Sequence, residues 1–255
     1  MKKIVYIAAL VSIFSFHFSI CHAQWGDYGV KVGGGLATIN DDLSTKSPIV
    51  GANIGGYINY TFYQSESVLA EVFYLQTGLN LIRRGSNFEE HFEQSNTLMA
   101  RDGYYHAYYL QLPLLAGVHY ELPIRQSGHV VGFYLGPAVS FGLFGRFNDR
   151  KVTPGVSNFW ENYDVSLHGT HADRQVFNHL NRLDVSAVVG LSYEYKGFTV
   201  SLFVDDGFMA TSESEDVIRV IESTQATGTK VDYTIPNGHN IAYMLSLSYR
   251  LGSLD

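Results

Sequence analysis

The sequence of 255 residues has one cysteine, six prolines and two tryptophans, and only 16% of its residues are charged. Each scarcity excludes something. The single cysteine, Cys21, lies in an apolar N-terminal segment, so a disulfide scaffold is excluded for the rest of the chain. Basic residues number 17 against 24 acidic ones, a balance that argues against nucleic acid as a partner. Beyond the first two dozen residues no apolar run reaches the ~18 residues of a membrane helix, so any membrane span must be built from strands. No Pro-rich or Ser-rich linker, charge block or fixed-period repeat divides the chain, which favours one domain.

The N-terminus "MKKIVYIAALVSIFSFHFSICHAQ" has two lysines, an apolar run from Ile4 to Ile20, then Cys-His-Ala before Gln24. This is the layout of a secretory signal peptide, with cleavage expected after Ala23. Lipidation at Cys21 is disfavoured because Ile20 stands where lipoprotein processing wants a small residue. The expected organisation is therefore a cleaved signal peptide over 1–23 and one β-barrel domain over 24–255. Loss of Lys2 and Lys3 would leave 15 basic residues against 24 acidic ones, a net charge of −9.

Glycine, tyrosine and phenylalanine are abundant at 25, 18 and 16 residues, the composition of curved sheets rich in aromatic strand formers. Period 2 runs along most of the chain. In "YYLQLPLLAGVHY" Tyr108, Leu110, Leu112, Leu114, Ala116, Val118 and Tyr120 share one face, and Tyr109, Gln111, Pro113, Leu115, Gly117 and His119 share the other. Similar alternation predicts strands at about 28–37, 49–62, 105–120, 129–144, 182–195, 198–206 and 240–251, and 68–82 is strand-like with its lipid face left open because Glu71 and Gln76 lie on opposite faces, which makes eight. Thirteen residues at ~3.4 Å each and a tilt of about 40° rise roughly 34 Å, enough to cross the ~25 Å apolar band of an outer membrane. Pro113 cannot donate to a ladder and reads as a bulge.

The connections alternate strictly. Loops at 38–48, 83–104, 145–181 and 207–239 are long, whereas 63–67, 121–128 and Lys196-Gly197 are short. An up-and-down barrel of even strand number, with both termini in the periplasm, produces this pattern. A soluble barrel has no reason to separate its loop lengths in this way. The reading is all-β: an eight-stranded antiparallel transmembrane β-barrel in the outer membrane, with short periplasmic turns and long extracellular loops.

The segments "LAEVFYLQTG" (69–78), "YYLQLPLLAGVHY" (108–120), "FYLGPAVS" (133–140), "RLDVSAVVGLSYEYKGFTVSLFVDDG" (182–207) and "SLSYRL" (246–251) together resemble the PorT-like outer-membrane β-barrel family. The resemblance spans Tyr28 to Leu251. It departs at Ala70, where the family often has proline, and at the ending "GSLD". It implies an outer-membrane barrel whose members share no single activity; some are tied to secretion and gliding machinery.

An eight-stranded barrel is just wide enough for side chains to fill it, so a general pore is not expected. Lys31, Glu71, Asp184, Glu194 and Arg250 are the charges best placed to point inward, as a paired network that fills the lumen. No catalytic, cofactor-binding or metal site is expected. His168, His171 and His179 lack a third ligand at fixed spacing, and the acidic run Asp205, Asp206, Glu213, Glu215 and Asp216 lacks the pattern of a calcium loop and reads as a solvated loop base. The sequence has no Gly-x-Ser-x-Gly elbow, and the pair Ser166 and His168 sits in a loop, so a lipid-acting enzyme is disfavoured. The expected partners are outer-membrane lipid and, through the long loops, a protein or glycan. The alternative is a subunit of an outer-membrane secretion or assembly complex.

Overall fold

The computed structural model describes residues 25–40, 45–61, 73–94, 97–123, 128–152, 160–167, 181–209, 217–221, 230–234 and 238–254. The strands are Trp25–Asn40 (β1), Thr45–Thr61 (β2), Phe73–Gln94 (β3), Thr97–Glu121 (β4), His129–Val152 (β5), Trp160–Leu167 (β6), Leu183–Tyr195 (β7), Phe198–Gly207 (β8), Val217–Ile221 (β9), Lys230–Thr234 (β10) and His239–Leu254 (β11). Eight of them, β1, β2, β3, β4, β5, β7, β8 and β11, pair antiparallel in that order, and β11 returns to β1. Closure leaves no free sheet edge within the membrane, where an unpaired backbone group would cost several kcal/mol. No helix among the described residues is long and apolar enough to cross a membrane.

Period 2 sorts the side chains as the alternation requires. On β4, Leu112 is 42% exposed and Gln111 is 3% exposed, so leucine meets lipid and glutamine meets the lumen. Val30, Ile54, Leu135, Leu191, Leu202 and Leu247 continue the outer apolar surface on the other strands. Inside, Tyr57, Tyr74 and Tyr134 lie across Gly29, Gly117 and Gly190, where a Cβ would occupy the space of the ring. Glycine is thus needed at those three positions to let a large ring lie flat in a narrow lumen.

The structure corrects several strand boundaries. The expected long loop at 83–104 is mostly strand, because β3 and β4 stay paired from Arg83↔Tyr108 to Gln94↔Thr97. Likewise β5 continues to Val152 and pairs with β6 inside the expected loop 145–181, while β9 and β10 form a hairpin inside 207–239. Backbone pairing satisfies N–H and C=O groups in water as well as in lipid, so the membrane boundary does not end a strand. Residues 68–72, expected to open the third strand, lie outside the described residues.

Pro113 makes no bulge. The β3–β4 ladder skips the pairs opposite Pro113 and Leu112 and resumes in the same register, and Thr77 Oγ1 donates to the Pro113 carbonyl at 2.9 Å. The bulge sits instead between Tyr108 and Tyr109, which face Phe144 and Gly142. The extra residue is Leu143, and it resets the alternation of β5 so that both Phe141 and Phe144 face outward.

Candidate functional site

The lumen holds the polar chemistry of the molecule, in two layers separated by a cavity. The layer nearer the outer surface is built around Arg84, which follows Tyr74, Asn80 and Ile82 on the inward face of β3. Its Nη1 donates to Asp184 Oδ2 at 2.7 Å, and its Nη2 donates to Asp205 and, at 3.4 Å, to Ser140 Oγ. Gln111 Nε2 donates to the same Asp205 oxygen at 2.8 Å. The guanidinium also stands over the Tyr109 ring, 5.6 Å from its centroid, and the Tyr109 hydroxyl meets that of Tyr105 at 2.7 Å.

Arg84 and Asp205 are fully buried, and Asp184 nearly so. A buried cation with two carboxylates is tolerated only when each charge is paired, since desolvation otherwise outweighs the attraction. One cation against two carboxylates leaves this layer one negative charge in excess. Lys31 lines the cavity below it. The layer draws on β3, β4, β5, β7 and β8, so it ties together most of the barrel wall.

The second layer sits at the short-turn end. Arg250 Nη2 meets Glu194 Oε1 at 2.5 Å and Arg250 Nη1 meets Asp27 Oδ2 at 3.8 Å. Asn59 donates to Asp27 at 2.8 Å, and Gln76 donates to Asn59 at 2.8 Å. The Arg250 side chain is 44% exposed, so water screens these pairs and they hold the layer together less strongly. Between the layers lies a cavity of about 50 Å³ lined by Lys31, Tyr57, Asn80, His119, Tyr134 and Ser201 among others. That volume holds a few waters, on the criterion of ~10–15 Å³ for each.

Of the residues expected in the lumen, Asp184 pairs with Arg84, Glu194 pairs with Arg250, and Lys31 borders the cavity. They fall into separate groups. Glu71 lies outside the described residues, as do His168, His171 and His179. Asp205, expected in a solvated loop base, is instead fully buried against Arg84. Sequence reasoning missed Arg84, Asp205 and Asp27. The parity of Ser201, Phe203 and Asp205 on one strand face, and of Asn80, Ile82 and Arg84 on another, carried that information.

A closed barrel with a lipid-facing apolar surface, a polar lumen and short turns at one end is an integral outer-membrane protein. The chain matches the family described as outer membrane protein beta-barrel domain over residues 23–212 and belongs to it. The match is to that general family and does not single out PorT-like members. Comparison with curated proteins gives no match. Similar solved structures include Ail, the attachment invasion locus protein of Yersinia pestis, at 11% identity and TM-score 0.34, covering 89% of this chain and 99% of that one. Ail in complex with the heparin analogue sucrose octasulfate is similar at 10% identity and TM-score 0.33, with the same coverage. The CymD monoaromatic hydrocarbon channel is similar at 11% identity and TM-score 0.27, covering 88% of each chain.

Proposed function

We propose that this protein is a non-enzymatic outer-membrane barrel that binds a protein or glycan through a sheet raised above the membrane. The observation that supports it is strand length. β3, β4 and β5 have 22, 25 and 24 residues, whereas β7 and β8 have 13 and 10. From Tyr108 to Thr97, β4 rises about 29 Å further on the usual strand rise and a tilt of about 40°. With β6 added to β5, one wall of the barrel becomes a paired sheet in water, a firmer platform than a loop. The filled lumen supports the same reading, because a buried ion cluster contributes nothing to a surface contact and leaves little room for a solute.

The test shortens this wall. Replacing residues 90–101 by Asn-Gly joins the paired positions Glu89 and Asp102 through a two-residue turn. Cells carrying the intact barrel are expected to retain components of an array of glycans and secreted proteins, and the shortened form is expected to lose retention at least tenfold while still folding. Equal retention by the two forms would overturn the proposal. Stoichiometric partners released with the barrel from gently solubilised membranes, unaffected by the shortening, would favour a secretion or assembly complex of the PorT-like kind.

A further inference from the structure

The tandem arginines 83 and 84 point to opposite sides of the wall. Arg84 enters the lumen, and Arg83 faces outward beside its cross-strand partner Tyr108. One row further out, His106 on β4 is paired with Arg146 on β5. Aromatic rings surround these groups: Tyr104 stacks on His106 at 5.6 Å, His106 meets Tyr108 edge-on at 6.2 Å, and Tyr108 stacks on Phe144 at 4.8 Å. Three adjacent strands thus present two guanidinium groups and an imidazole in an aromatic setting.

The height of this patch identifies what it meets. On β4, Tyr120 marks the inner rim at 62% exposed, and Tyr108 lies twelve residues away, about 31 Å along the membrane normal. The apolar band is ~25 Å tall, so Tyr108 and Arg83 sit at its outer edge and His106 and Arg146 just above it. Leu110 and Leu112 lie directly below on the same face, where acyl chains pack. The outward faces of β1, β7, β8 and β11 carry no arginine or lysine, so among these walls and the β3–β4–β5 wall the basic groups gather on the latter. Arg83 Nε is also buried without a hydrogen-bond partner.

We infer that Arg83, His106 and Arg146, with Tyr104 and Tyr108, form a site for the phosphate groups of a phosphorylated glycolipid of the outer leaflet. Guanidinium forks match phosphate oxygens, tyrosine rings face the attached sugar, and the leucines below meet the acyl chains. The patch lies at the foot of the raised sheet, so a bound glycolipid would brace that sheet where it leaves the membrane.

The test uses the full mature chain folded in detergent, with diphosphorylated lipid A and its dephosphorylated form as probes, read by native mass spectrometry. Wild type should retain the phosphorylated form at least about tenfold more tightly than the dephosphorylated one, as loss of charge-assisted hydrogen bonds implies. Arg83→Gln with Arg146→Gln should abolish that preference, Lys196→Gln on the opposite rim should keep it, and inorganic phosphate at matched concentration should not displace the lipid. Equal retention of the two lipids by wild type would overturn the inference, as would an unchanged preference in the double glutamine variant or displacement by inorganic phosphate. Should that variant fail to fold, Arg83→Lys with Arg146→Lys replaces it; this pair keeps the charge but loses the fork, and its preference is expected to fall between the two.

Discussion

Arg84 is the residue on which the lumen depends most, because two buried carboxylates have it as their partner cation. Replacing it with methionine preserves volume but leaves Asp184 and Asp205 facing each other without a countercharge. Arg84→Met is expected to destabilise the folded barrel by about 3–5 kcal/mol, measured by urea unfolding in lipid vesicles. Adding Asp184→Asn and Asp205→Asn removes the stranded charges and should recover most of that loss. A single variant as stable as the wild type would show that the cluster is not ionised as drawn. The sequence made the inward position of Asp184 legible, since Asp184 and Ser186 alternate with Leu183 and Val185. Its partner was hidden because Arg84 follows Arg83 at the point where the outer apolar residues stop, and a polar pair there reads as the start of a loop.

At the scale of the strand, the parts inside the membrane were the legible ones. Lipid on one side and a polar lumen on the other force an alternation that nothing in water requires, and it places the barrel strands other than β3, whose lipid face the sequence leaves open. Above the membrane the outward positions Asn87, Glu89, His106 and Arg146 are polar while Phe88 and Tyr105 stay buried inside, so the lipid-driven alternation stops and the strands continue unannounced. The bulge at Leu143 was equally hidden, because Phe141, Leu143 and Phe144 are all apolar and either parity fits the sequence. The topology of these elements predicts an asymmetric digest. Trypsin added to intact cells should cut at Arg174, between β6 and β7, and spare Arg125 in the turn between β4 and β5. Cleavage at Arg125 in intact cells, with Arg174 protected, would invert the barrel in the membrane.

For the whole molecule, one ring of backbone hydrogen bonds joins the first strand to the last, so Gly26 near the start lies opposite Leu254 near the end. Such a ring cannot fray from an edge and opens only when the barrel opens as a unit. The charged layers and the ring of tyrosines act across the same circle, each linking strands far apart in sequence, as Arg84 and Asp205 do. Closure within a membrane is therefore the claim on which the lumen, the raised sheet and the lipid site all rest. Its most direct test is electrophoretic migration of the protein from the outer-membrane fraction, with and without boiling in detergent. A closed barrel should give two positions, a compact unboiled form and a slower boiled one, because the closed ring resists the detergent until heated. A single position under both conditions, with the protein recovered in the soluble fraction, would contradict it.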